Sequence, residues 1–405
     1  MDIDRLRGET PGVANCVNLN NAGTALMPRP VIEAQRAHLQ LEAEIGGQAA
    51  AAQCASRLEA VYQSLAKLLG AASESLALTM NATHAWQLAF YGIGFQRGDR
   101  ILTSRAEYGA NYVAFLQMQK RTGVVIDVIP DDEDGASDPN ALEDMIDARV
   151  KLIALTWVPT NGGLVNPAAA FGEITQRHGI PYLLDACQAV GQMPINVEEL
   201  RCDFLAGAGR KWLRGPRGTG FLYVHPAMLE KFEPGMIDHT GARWRAPERY
   251  ELQPSARRYE TYERAAGLQR GLGAAVDYAL EVGLEPIRDR VQDLASQLRT
   301  DLDRLPGVRV RDIGAELCGI VTFDHEEIDA NAIRSALDEA TIQVSVATPD
   351  GALLDARARG LGDLVRVSPH YYNTEAELQI LLDRLGQVID ETRGSWAKRW
   401  PAPRA

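Results

Sequence analysis

Through the first two thirds of the chain, apolar residues fall into short runs separated by stretches with helical spacing. Residues 152–158, Leu-Ile-Ala-Leu-Thr-Trp-Val, are apolar almost throughout, which predicts a strand buried on both faces. Residues 169–178 then read as a helix, with Gly179 placed as its C-terminal cap. Tyr182–Asp185 is the next strand. A strand, a helix and a second strand in this order form a βαβ unit, which joins parallel strands. Arg100–Thr103 and 124–129 are further strands with a helix over 110–121 between them, and 221–224 closes the series.

Beyond residue 285 the pattern changes. Ile287, Val291, Leu294, Leu298, Leu302 and Leu305 recur at steps of three and four, which places them on one face of an amphipathic helix. Short strands are expected at 308–310, 319–323, 342–346 and 365–367. Thr374-Glu-Ala-Glu377 has the capping-box pattern and opens a helix to about 390. The expected class is α/β: a large domain over 16–270 with a mostly parallel sheet, and a smaller α+β domain over 285–395 onto which 1–15 returns. The Pro/Arg-rich tail after Trp396 is expected to fray.

Length supports this division, because 405 residues suffice for two domains and a large core. The formal net charge of −12 argues against nucleic acid as a partner. Cys16, Cys54, Cys187, Cys202 and Cys318 contain no CxxC pair, and no His/Cys cluster has zinc spacing, so no metal is expected. Scattered cysteines fit a reducing cytoplasm. The opening MDIDRLRGETPG lacks an apolar signal region, and no run approaches the ~18 apolar residues of a membrane span. A cytoplasmic protein with no membrane partner is expected.

The chemistry concentrates in two segments. Lys211 lies in Ala206-Gly-Ala-Gly-Arg-Lys-Trp-Leu-Arg-Gly-Pro-Arg-Gly218, among small residues. Partial desolvation there favours the neutral amine that condenses with an aldehyde. Asp185 ends an apolar strand, where ligands bind in open α/β sheets, and can hold a pyridinium nitrogen protonated. Together they point to pyridoxal 5'-phosphate (PLP). Alone, Asp185 reads equally as a helix cap, and most lysines are solvated surface charges.

Supporting positions follow. Gln188 is placed to donate to the cofactor's phenolic oxygen, and Cys187 reads as a small buried filler. Ala82, Thr83 and His84 precede a helical run, where backbone N–H groups and the Thr83 hydroxyl make an anion site for a phosphate; a plain helix cap is the bland alternative. Arg210 supplies positive charge to the same phosphate, or else forms a surface ion pair. Tyr108 is a candidate to stack on the ring, against a core role. Arg366, inside an apolar strand, needs an anion, and a bidentate grip on a substrate α-carboxylate is favoured over a structural salt bridge. His370 is read as structural. Trp86, Tyr112, Trp157 and Trp244 are weighed as pocket lining, with core packing favoured for each.

In this order, Leu19-Asn-Asn-Ala-Gly23, Asn81-Ala-Thr-His84, Asp185-Ala-Cys-Gln188, Arg210-Lys-Trp212, Arg366-Val-Ser368 and Tyr372-Asn-Thr-Glu375 resemble the class V group of fold-type I PLP enzymes, over nearly the whole chain. That group holds cysteine desulfurases, selenocysteine lyases, isopenicillin N epimerase and ergothioneine-pathway C–S lyases. The resemblance implies the fold-type I architecture with a seven-stranded sheet, and a homodimer with active sites at the subunit interface. It also implies that Asn21 contacts substrate and that Thr261 reaches the partner's PLP phosphate.

Departures from the group bear on the reaction. Desulfurases carry a sulfur-accepting cysteine on the loop before the arginine strand, and here that loop, 347–357, has none. The residue before the lysine, usually histidine, is Arg210; a phosphate-binding serine is replaced by Ala208, the stacking histidine by the Tyr108 region, and an asparagine by Thr160. Glu44-Ile-Gly-Gly47, Glu107-Tyr-Gly-Ala-Asn111, Arg210-Lys-Trp-Leu213 and Val367-Ser-Pro-His370 are similar to the C–S lyase branch. The leading expectation is therefore β-elimination on a cysteine conjugate or sulfoxide. An epimerase or aminotransferase of the same family is the alternative, and a non-catalytic PLP-fold binding protein is the alternative of another class. A nicotinamide-dependent dehydrogenase is disfavoured, because Gly92-Ile-Gly94 lacks the third glycine of the dinucleotide fingerprint.

Overall fold

In a computed structural model the backbone is described for residues 1–399 and side chains for 1–392, so the tail expected to fray after Trp396 lies outside the described side chains. Seven strands form the main sheet: β1 (Leu76–Thr79), β2 (Arg100–Thr103), β3 (Val125–Val128), β4 (Val150–Thr156), β5 (Tyr182–Asp185), β6 (Phe204–Ala208) and β7 (Gly220–Val224). Their order across the sheet is β1-β7-β6-β5-β4-β2-β3, and only β7 runs against the rest. The uniformly apolar runs occupy its centre, where β5 and β6 are buried at every residue. Helix Ala168–His178 joins β4 to β5 and ends at Gly179 with φ +66°, a left-handed cap that favours glycine.

A second, antiparallel sheet of four strands follows: β8 (Val308–Val310), β9 (Val321–His325), β10 (Ser345–Ala347) and β11 (Leu364–Val367), ordered β8-β9-β11-β10. Helix Leu284–Leu302 packs on it through Leu294, Leu298 and Leu302. The stretch across the expected 270–285 boundary is helical as Ala266–Val282, and Gly283, with φ +91°, separates it from the next helix.

Two strand expectations are corrected. The run 342–346 is split at Val344: Ile342–Gln343 pairs with Val17–Asn18, whereas Ser345–Ala347 pairs with β11. Strand 319–323 begins later, at Val321, because Gly319 is pressed against other elements: its N–H donates to Gln192 Oε1 (3.0 Å), and a Cβ there would lie 2.3 Å from Val291. Residues 1–15 touch both parts of the chain. Arg5 pairs with Glu281 (2.8 Å), Tyr278 donates to Glu9 (2.6 Å), and Arg7 pairs with Glu377 (2.9 Å).

Candidate active site

Strand register brings the polar residues together. Thr156 lies opposite Asp185, which lies opposite Ala206, so the carboxyl ends of β4, β5 and β6 share one edge, and β2 ends beside them at Thr103. A cavity of about 540 Å³ opens there, lined by Asp185, Cys187, Gln188, Tyr108, Thr160, Lys211 and the 81–84 turn, among others. Ligand sites of open α/β sheets occupy this edge.

One wall is carboxylic. Asp185 is buried, with Oδ1 accepting from Cys187 N (2.9 Å) and Oδ2 from Asn111 Nδ2 (2.9 Å). The same Asn111 amide donates to Glu107 Oε1 (2.9 Å). Glu107 also accepts from Thr156 Oγ1 (2.5 Å), Tyr108 N (3.0 Å) and Thr103 Oγ1 (2.8 Å). Burial pushes the Glu107 carboxyl up to about 7, against the opposing pull of its hydrogen bonds. Burial raises Asp185 as well, opposed by Asn111, the Cys187 amide and the charge of Lys211. A buried carboxylate of this kind favours a cationic partner.

Lys211 reaches the cavity from a tight loop after β6. Gly215 N donates to Gly209 O (2.7 Å) and Arg214 N to Lys211 O (2.9 Å), with Arg214 in the left-handed region at φ +61°. The loop is anchored by Arg214, whose guanidinium is 1% exposed and meets only neutral groups. It donates to Leu26 O (2.8 Å), Tyr371 Oη (2.8 Å) and Thr10 Oγ1 (2.6 Å), and lies 4.3 Å from the Tyr372 ring centroid. His370 supports the same loop. Its Nδ1 accepts from Tyr371 N (2.9 Å), so the proton sits on Nε2 and is donated to Trp212 O (2.8 Å). Burial and Arg214 push His370 well below the usual histidine range, which leaves it a neutral prop, in line with the structural reading.

The sequence-derived positions distribute as follows. Gln188 is held by Trp212, whose Nε1 donates to Oε1 (2.9 Å), while its own Nε2 donates to Ala22 O (3.1 Å) and Thr160 Oγ1 (3.3 Å). Thr160 in turn accepts from Arg366 Nη1 (2.7 Å). Tyr108 is half-buried at the cavity wall and precedes helix Gly109–Thr122. Ala82, Thr83 and His84 open helix Ala82–Phe90 at the wall, and the His84 N–H is taken by its cap, Asn81 Oδ1 (2.8 Å). Arg210 lines the cavity with its Nη1 on Gly23 O. Cys187, expected as a buried filler, instead stands half-buried at the wall, close enough to Lys211 that the amine's charge opposes the rise burial gives its thiol.

Other expected positions lie outside the cavity wall. Asn21 is fully buried, its amide donating to Ser368 O (2.8 Å) and its Oδ1 accepting from Tyr372 Oη (2.5 Å). Thr261 is exposed, with a single weak bond to Glu263 O (3.3 Å). Trp86 and Trp157 are core residues, Tyr112 packs at the edge of Phe115, and Trp244 is 80% exposed. Sequence reading passed over Glu107, Asn111 and Thr156. The available signal was the segment Glu107-Tyr-Gly-Ala-Asn111 itself; Glu107 lies just before helix Gly109–Thr122 and Asn111 in its first turn, which lets the Asn111 amide turn back onto the Glu107 carboxyl.

Comparisons with known proteins place the chain in a family. The Aminotransferase class-V family pattern matches residues 17–381. The "Probable cysteine desulfurase" of Methanothermobacter thermautotrophicus is 27% identical over 401 residues, covering 97% of this chain and 99% of the relative. The cysteine desulfurase of Serratia proteamaculans is 30% identical over 404 residues, covering 95% of this chain and 98% of the relative. The solved apo structure of cysteine desulfurase from Thermococcus onnurineus superposes with a TM-score of 0.88 at 25% identity, over 96% of this chain and 98% of that one. The residues present fit PLP: an amine at Lys211, a buried carboxylate at Asp185 with no ion pair among the described residues, and a helix N-terminus at 82–84 for the phosphate. The chain belongs to the aminotransferase class-V family, and its cofactor is pyridoxal 5'-phosphate.

Proposed function

We propose that this protein is a C–S lyase that breaks the Cβ–S bond of a cysteine conjugate or sulfoxide without storing sulfur on a protein thiol. The observation that carries the reading is the setting of the cysteines. Residues 347–357, expected as a loop but folded as a 3-10 turn over Pro349–Ala352 leading into helix Leu353–Arg359, pack with Asp350 O against Gly109 and contain none. Cys318 is 1% exposed, its sulfur accepts from Ile320 N (3.4 Å), and burial pushes its thiol up to about 12. A thiolate nucleophile needs the opposite setting, exposed and beside positive charge.

In this reading Arg366 grips the α-carboxylate and Lys211 removes the α-proton. PLP, when bound, takes up the electron pair left at the α-carbon. Asp185, held in place by Asn111, would accept the ring N–H, and the amides of Ala82 and Thr83 would hold the phosphate. Tyr108 would hold the ring, and Gln188 would serve its phenolic oxygen on giving up its bond to Thr160. The pair then forms the Cα–Cβ double bond as sulfur departs with the Cβ–S electrons, and water converts the three-carbon fragment to pyruvate and ammonia.

The test is pyruvate release from S-substituted L-cysteines and their sulfoxides, run beside Lys211→Ala. Pyruvate from the conjugates, and none from the variant, is expected. L-Alanine formed from L-cysteine would replace this reading with the desulfurase activity for which the relatives are named. α-Proton exchange without pyruvate would replace it with epimerisation or transamination.

The same proposal includes a cytoplasmic homodimer. Five unpaired cysteines support the compartment. Among the described residues no helix is long and apolar enough to cross a membrane. Thr261 stands exposed in a segment that also exposes Tyr262, with Met236 and Trp244 exposed on neighbouring stretches, which supports a partner copy there. Light scattering that returned a monomer would remove this part.

A further inference from the structure

Behind the cavity wall on the side of β11, positive charge stands without a protein counter-ion among the described residues: Arg366 is not itself in the lining, but it bonds Thr160, which is. Arg366 is 8% exposed, yet its guanidinium meets only neutral oxygens: Thr160 Oγ1 (2.7 Å), Thr160 O (3.1 Å) and Asn20 Oδ1 (3.5 Å). Its Nε is buried with no partner. Arg210 turns its head towards the same region, bonding Gly23 O. Gly23 packs on the Asn20 amide so closely that a Cβ there would lie 2.5 Å from Asn20 Oδ1. Asn20 therefore touches the surroundings of both arginines. Arg217, in the lining, adds a third cation, bonded at 3.5 Å to Thr24 Oγ1.

Among the described residues, none of these three arginines forms an ion pair, whereas the buried Arg299 has Asp312 at 2.7 Å. Asp185, the carboxylate in the cavity lining, has its oxygens on Asn111 and the Cys187 amide. The like charge of Arg210 lowers Arg366 further after burial, to about 10. Arg217 is exposed, but the buried Arg366 and the half-buried Arg210 repel one another unless an anion arrives between them.

A substrate α-carboxylate satisfies one guanidinium in a bidentate pair. The Arg210 head is bonded in the 20–24 segment, which bridges to Ser368 beside Arg366, and not to the 81–84 turn. We propose that Arg210 binds a second anionic group carried on the substrate side chain, so that the preferred substrates are dianionic cysteine conjugates bearing a carboxylate or sulfonate beyond the sulfur. This rests on the reading that the cavity binds an amino acid beside the cofactor, but not on what bond is then broken.

The experiment is calorimetric titration of the holoenzyme with S-carboxymethyl-L-cysteine and with its neutral isostere S-carbamoylmethyl-L-cysteine. It is repeated on Arg210→Ala and the longer Arg210→Gln, with the PLP dissociation constant measured for each protein. Wild type is expected to bind the carboxymethyl form about tenfold tighter or more, the scale of one charged hydrogen-bonded contact. Both variants are expected to lose that preference and keep their PLP affinity. Equal affinity for the two probes in wild type would overturn the proposal. So would variants that keep the preference but bind PLP more weakly, since Arg210 would then serve the phosphate. Pyruvate is measured separately, so failure of the lyase reading leaves the binding preference standing, and the reverse.

Discussion

The two sides of the cavity contrast in what they leave unfinished. On the Asp185 side the carboxylate oxygens are engaged through Asn111, Cys187 N, Thr103, Thr156 and Tyr108 N. On the other side the buried Arg366 guanidinium meets only neutral oxygens, and among the described residues its Nε has no partner. A fully bonded network is rigid and holds a fixed group in place, whereas buried charge without a counter-ion is a standing cost that an incoming anion relieves. The first side thus suits a resident cofactor and the second suits the part of the site that is filled and emptied at every turnover.

The contrast is broken most severely at Asp185. Asp185→Asn removes the charge that the Asn111 amide orients, and kcat is expected to fall by about 10²–10³, the scale of losing a preorganised charge. A shift of the bound cofactor's visible absorbance would accompany it, whereas a variant with wild-type kcat and spectrum would remove Asp185 from the ring nitrogen.

Arg366→Ala should cost less and in a different parameter. Loss of a charge-assisted grip on the α-carboxylate is expected to raise KM by about ten- to a hundredfold, with a smaller effect on kcat. Steady-state kinetics with one conjugate separates the two, and an unchanged KM would assign the arginine to structure.

Glu107 tests the bonded side through pH. Burial raises its carboxyl from an ordinary 4.5 to about 7, so folding takes up a proton between those values. The wild type therefore loses stability, relative to Glu107→Gln, as pH rises through that window, by about 3 kcal/mol in all. Denaturant unfolding of both proteins at pH 4.5 and 7.5 measures it. A constant difference between them would mean that Glu107 stays charged across the window.

The smallest effect is expected at Cys187, which lies close to Lys211 but has no role in the proposed elimination. Cys187→Ser should leave pyruvate release nearly unchanged. Abolition of turnover would make this thiol part of the chemistry.

Much of this was legible in the chain. The apolar runs located the central strands because a strand buried on both faces admits few polar residues, and Gly179 marked a helix end because it must adopt positive φ. Lys211, Asp185 and Gln188 stood out as candidates because small or apolar neighbours made their polarity conspicuous, and the structure brings all three to one cavity. Edges were less legible. Ile342–Ala347 reads as one strand and serves two sheets, a switch decided by where the N-terminal segment returns to pair.

By itself, the sequence determined the order of the elements, the α/β class and the pair of residues that announced a PLP site, since each depends on local spacing and side-chain chemistry. Only the tertiary structure decided that Glu107 and Asn111 stand behind Asp185, that His370 is a neutral prop, and that Arg214 pins the lysine loop across 188 and 204 residues of sequence to Leu26 and Thr10. It also decided that Arg210 leans towards Gly23 and that Asn21 is spent on its neighbours. The physical reason is range. A helix or strand period is set within a few residues, but whether a buried charge finds a partner depends on segments that meet only when the sheet edges close.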